Sequence, residues 1–171
     1  MTTAPMPAVA RLGDGFTAAA TTLLAHLGCR LVVQPAGSAI AASHWGEPEA
    51  GIDGLCIVAR PDTPLHSVLH ETGHLLCTPP AARPALWRSA GSDDLEEAAV
   101  CCLQVRMADR LAHYGRARLF ADMQSWGYSF RLGSAADWYA SDAEDALAWL
   151  AARPWTWPRS PADYSRRGYS R

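Results

Sequence analysis

The chain has 171 residues, 49% of them hydrophobic and 19% charged, with a formal net charge of −2. That length buries a core without disulfide or metal staples and reads as one domain spanning 1–171. The near-neutral charge excludes a polyanion-binding surface, so no nucleic-acid partner is expected.

Residues 8–27 carry helical periodicity, with Val9, Leu12, Phe16, Ala19, Leu23 and Leu27 three or four apart and Gly28 placed as a terminating glycine. Arg30 to Gln34 is a β-branched run stopped by Pro35 and reads as a strand. Residues 36–54 are rich in Gly, Ala, Pro and Ser, with short strands expected only near Ile40 and Trp45. Leu55 to Ala59 is a second strand, and an edge against which an extended peptide could pair. Thr63-Pro64 then reads as the N-cap and first residue of a helix that must end before Pro79-Pro80. Ser92 to Glu97 opens a longer helix, with Asp93 and Asp94 at its N-terminus, running to about Tyr114 and closed by Gly115. Further helices are expected at about 116–126 and 141–152, the latter with Ser141 and Glu144 in capping-box spacing. The segment 154–171, rich in Pro, Trp, Ser and Arg, reads as an irregular tail.

Five cysteines (Cys29, Cys56, Cys77, Cys101 and Cys102) form no C-x-x-C pair, which favours reduced thiols over a disulfide framework. Met1 to Pro7 has no basic segment leading into an apolar one, and the run Ala18 to Leu27 is too short to span a bilayer. A cytoplasmic protein without membrane contact is expected.

Residues 70–74 read His-Glu-Thr-Gly-His. On a helix, positions i and i+4 lie one above the other, so His70 and His74 can aim ring nitrogens at one metal ion. Glu71 lies roughly 100° round the same helix, able to reach a water at that metal without being a ligand. Two imidazoles, an open coordination position and a carboxylate base are what a zinc hydrolase requires.

The third ligand must come from elsewhere. Continuing the motif to a third histidine would need glycine at Cys77 and histidine at Pro80, which excludes the metzincin pattern. The next helix offers Glu96 and Glu97. Around that helix Arg106, Asp109, Arg110 and His113 cluster on one side. Glu97 falls almost opposite, in line with Gln104 and flanked by Val100, Cys101, Ala108 and Leu111. A carboxylate in the middle of a buried face needs a partner, and zinc would be one. Glu97 is therefore the expected ligand, with Glu96 as the alternative. Gln104 reads as a core amide or a support for a ligand, and His66, one turn before His70, as a core histidine or a substrate contact. Ser67 reads as structural. Cys101-Cys102 reads as a pair of small buried residues, and Cys77 as a residue whose thiol could modulate the metal site.

The strand, the His70–His74 motif and the Glu96-Glu97-Ala98-Ala99 helix start, together covering about residues 50–110, resemble the gluzincin zinc peptidases, in particular ImmA/IrrE-like proteins and minigluzincins. The chain departs from their pattern in reading Glu97-Ala-Ala-Val-Cys-Cys102 after the glutamate. The resemblance implies an α+β, zincin-like fold: a small curved mixed sheet on the helix bearing HExxH, a second helix supplying the glutamate, and a helical C-terminal part. It implies His70, His74 and Glu97 as ligands of one Zn2+ per chain, with Glu71 as general base. It also implies that Gly73 is small to admit another element, and that a Tyr or His outside the motif stabilises the oxyanion, the candidates being Tyr114, Tyr128, Tyr139 and His113. In some minigluzincins a C-terminal segment inhibits, and the segment after Pro158, with Tyr164 and Tyr169, is a candidate for that role. The expected function is a zinc metallopeptidase acting on a peptide or protein substrate. The alternatives are a catalytically silent zincin-fold binding or sensing protein, and a zinc hydrolase of a small non-peptide amide.

Overall fold

The computed structural model describes residues 8–89 and 91–158. Its helices are α1 (Thr17–His26), α2 (Leu65–Cys77), α3 (Asp94–Ala108), α4 (Gly115–Trp126), α5 (Ala135–Ser141) and α6 (Glu144–Ala151), and its strands are β1 (Arg30–Val33), β2 (Gly51–Asp53) and β3 (Cys56–Ala59). The architecture is α+β. No helix among the described residues is long and apolar enough to cross a membrane.

The three strands form one mixed sheet in the order β1-β3-β2, with β1 parallel and β2 antiparallel to β3. This corrects the expectation that Leu55–Ala59 is an edge open to a peptide. Ile57, Val58 and Ala59 are all buried, and such a continuous apolar run belongs to an interior strand paired on both sides. β2 is not signalled by periodicity. Its first residue, Gly51, lies so close to the Ala42–Ser43 backbone that a Cβ there would sit 2.1 Å from the Ala42 carbonyl carbon. The strands expected near Ile40 and Trp45 reduce to a single bridge between Ser43 and Gly51.

The helix expected over 8–27 forms only from Thr17. Residues 10–13 instead bind the loop that leads into α2: Leu12 N–H donates to Thr63 O at 2.9 Å, Gly13 N–H to Pro61 O at 2.8 Å, and Leu65 N–H to Ala10 O at 2.8 Å. Gly13 permits this approach, because a Cβ on it would meet Pro61 O at 2.9 Å. The buried carboxylate of Asp122 on α4 accepts from Ala10 N–H at 3.1 Å and from the Tyr114 hydroxyl at 3.0 Å, anchoring the same strap.

α2 starts one residue later than expected. Pro64 holds the cap position, while the Thr63 hydroxyl accepts from Arg60 N–H at 2.8 Å and closes the preceding turn. Every residue of α2 except His70 is buried, because the sheet packs on one side and α3 on the other. The C-terminus of α2 is closed by the guanidinium of Arg83, which donates to Thr78 O at 2.9 Å and Leu76 O at 3.0 Å.

α3 is capped by the Asp93 side chain, which accepts from Glu96 N–H at 2.8 Å. It ends at Ala108, not near Tyr114. His113 and Gly115, with φ of 65° and 69°, instead turn the chain into α4. α4 matches the expected 116–126 helix. α5 was not expected, and it is capped by Ser134, whose hydroxyl accepts from Asp137 N–H at 3.1 Å. Ser141 ends α5 instead of capping the last helix, which starts at Glu144 behind Ala143. Of the expected irregular tail, Pro154–Thr156 forms one 3-10 turn. Residues after Pro158, and with them the expected inhibitory segment, lie outside the described residues.

Candidate metal centre

The sequence of α2 places His70 and His74 on one face, and α3 crosses that face at its first turn. The two Nε2 atoms lie 3.1 Å apart. Glu97 reaches both, with Oε1 at 3.2 Å from His74 Nε2 and Oε2 at 3.6 Å from His70 Nε2. Among the described residues these three are the group able to share a metal ion; Glu96 is not part of it. Glu97 is not the buried carboxylate that its place on the helix suggested. Its side chain is 45% exposed, because the first turn of α3 projects past the edge of the packed interface.

The donor set suits a divalent ion. Donors at about 2.0–2.1 Å from a tetrahedral centre stand roughly 3.3 Å from one another; the two imidazole nitrogens are 3.1 Å apart, and each has one Glu97 oxygen within 3.6 Å, Oε1 on His74 and Oε2 on His70. The tautomer of His70 is fixed as a ligand requires. Gln104 Nε2 donates to the backbone oxygen of His66 at 2.9 Å, an atom that can only accept, so Gln104 Oε1 is the atom facing His70 Nδ1 at 3.3 Å. Oε1 must accept a hydrogen bond from Nδ1–H, which leaves the ring's lone pair on Nε2, the atom facing His74 and Glu97. Gln104 is fully buried, a core amide that also holds the His70 ring.

The electrostatics agree. Burial pushes the His70 ring down to about 4, keeping it neutral. For His74, burial opposes the charged ring but the Glu97 carboxylate outweighs it, and the net shift is upward. Glu97 is held down at about 2, first by its hydrogen bond with His74 and further by the Ser92 hydroxyl, which donates to Oε1. Glu71 is buried one position along α2, and desolvation raises its carboxyl to about 7, where it exchanges protons readily near neutral pH. It faces a hollow that also touches His74, Glu97 and Arg88.

Of the four oxyanion candidates, the fold brings Tyr128 to the centre. Its ring meets that of His70 edge-on at 6.1 Å, and Gly127, with φ of 95°, ends α4 so that it can do so. Tyr114 is buried on Asp122, Tyr139 packs against Phe120 and Trp138, and His113 lies in the turn after α3. His66 is buried and does not join the metal group. Its Nδ1 lies 3.3 Å from the Tyr128 hydroxyl, and burial drives the ring down to about 3. Ser67 accepts from Ala50 N–H at 3.0 Å, a structural role, as expected. Cys77, Cys101 and Cys102 are free, buried thiols raised by desolvation, which argues against a reactive Cys77.

Four residues at the site escaped sequence reasoning: Trp45, Glu49, Arg88 and Trp126 line the hollows around His70, Glu71 and Glu97. Only Arg88, at a backbone φ of 64°, marks a local strain, and no sequence pattern announces it. Searched against family models, curated proteins and solved structures, the chain finds no match.

Proposed function

We propose that this chain is a zinc-dependent peptidase with a reduced zincin-like fold, in which His70, His74 and Glu97 hold one Zn2+ and Glu71 is the general base. The observation that carries the reading is the convergence of two imidazole nitrogens and one carboxylate close enough to share an ion, with an ionisable buried carboxyl one residue away. Two imidazoles with one carboxylate suit a catalytic zinc with an open position. The bound ion would act as a Lewis acid toward a carbonyl and lower the pKa of water.

The chain's own residues then divide the work. Glu71 takes the proton from the attacking water and returns it to the leaving amine, a task matched to its raised pKa. Gln104 keeps His70 in the ligand tautomer. Tyr128, which lines the hollow beside His70 and whose hydroxyl lies 3.3 Å from His66 Nδ1, is the candidate donor to the developing oxyanion.

The test is turnover of quenched fluorescent peptides by zinc-loaded wild type and by Glu71→Gln. The variant is expected to keep its zinc and lose at least about a hundred-fold in kcat. Equal activity in both proteins, or no cleavage by wild type, would remove the peptidase reading.

A further inference from the structure

The hollow beside the metal group has a volume of about 370 Å³ and shares His70 and Glu97 with that group, so whatever fills it lies next to the reacting bond. Its lining includes a second carboxylate, Glu49, at the end of the loop that enters β2. Trp126 Nε1 donates to Glu49 Oε1 at 2.8 Å, which orients the carboxylate without neutralising it. Among the described residues no Arg or His forms an ion pair with it. The remaining wall is aromatic: Trp45, 68% exposed, with Trp126 and Tyr128.

A second hollow at the metal group shares Trp45 and Glu97 with this one and carries a guanidinium beside its carboxylates. It is lined by His44, Glu71, His74 and Arg88, and Arg88 Nε donates to Ala41 O at 2.8 Å while its guanidinium carbon lies 5.8 Å from the Trp87 ring centroid. A divalent ion at the centre would offset Glu97 and Glu71, leaving Glu49 as the unmatched charge of its hollow. An oriented carboxylate in a hollow lined by indoles and a phenol suits a cation, because aromatic rings and carboxylate oxygens both attract positive charge.

We infer that the Glu49 hollow selects substrates bearing a cationic group beside the scissile bond, with Glu49 and the adjoining indoles of Trp45 and Trp126 as the recognition elements. This rests on the peptidase reading for what the cation is attached to. The cation is either an arginine-type side chain or a free peptide N-terminus; both present N–H donors on a positive charge.

The experiment uses calorimetric titration of zinc-loaded Glu71→Gln protein, which binds without turnover, with three short peptides. These are acetyl-Ala-Arg-Ala-amide, acetyl-Ala-norleucine-Ala-amide, and the norleucine peptide with a free N-terminus. At least one cationic peptide should bind about ten-fold more tightly than the blocked norleucine peptide. Adding Glu49→Gln should bring that ratio close to one, since glutamine keeps an acceptor for Trp126 and removes only the charge. Which cationic peptide gains identifies the source. Equal binding of all three, no binding of any, or a preference that survives Glu49→Gln would overturn the inference. A cation preference lost in Glu49→Gln, with no peptide cleaved by wild type, would instead remove the peptidase reading and leave Glu49 supported only as a cation-binding residue.

Discussion

Gly73 and Val100 are in direct apposition: a Cβ built on Gly73 would stand 2.8 Å from Val100 Cγ1 and 3.3 Å from Val100 O. The closeness of α2 to α3 at this point has a consequence for the site, because Glu97 lies one turn before Val100 on the same helix. The contact that requires glycine is therefore the contact that delivers the carboxylate to His70 and His74.

Gly73→Ala tests that link. Alanine gains up to about 1 kcal/mol of helix propensity, but the overpacking costs about 1–3 kcal/mol. The expected outcome is a net loss of stability together with at least ten-fold weaker metal binding, read by thermal unfolding and chelator competition. A variant more stable than wild type with unchanged metal affinity would break the link between helix separation and ligand geometry.

Metal analysis of Glu97→Ala beside Glu96→Ala should show about one equivalent of zinc retained in the second and lost in the first. Removing metal from wild type with a chelator should lower Tm by roughly 10 °C, since ligation at a thousand-fold excess over Kd adds about 4 kcal/mol. Equal retention in both variants would move the third ligand elsewhere.

Gln104→Met keeps volume and removes the acceptor for His70 Nδ1. Metal affinity should fall about 10–100-fold, the usual effect of losing such a support, measured against a competing chelator. A merely packing role predicts lower Tm with unchanged affinity, so the two readouts separate the alternatives.

The thiols predict a pH signature. Burial pushes Cys29 and Cys102 up to about 11 and Cys77 up to about 12, and raises Cys101 as well. These groups favour the folded state in their neutral form, so their contribution is fully present below the ordinary thiol value of 9.0 and is lost as pH climbs through about 11–12. Native protein should show one thiol, the half-buried Cys56, reacting quickly with a disulfide reagent at pH 8. Stability should decline above pH 9 beyond what a variant with serine at Cys29, Cys77 and Cys102 loses. Rapid modification of several thiols in the native state would contradict the burial.

How much of this was legible beforehand divides along a physical line. The spacing of His70, Glu71 and His74 and the offset of Glu97 and Gln104 along the second helix follow from helical periodicity, so the sequence alone determined which side chains share each face. The fold then brought those faces together. The order of the three strands, the position of Tyr128 beside His70, the half-exposed setting of Glu97 and the presence of Trp45, Glu49, Arg88 and Trp126 around the centre depend on contacts between segments far apart in the chain. Such contacts have no period. A strand reveals its apolar faces but not its neighbours, and an irregular loop such as 36–50 reveals neither, so only the packed tertiary structure could decide them.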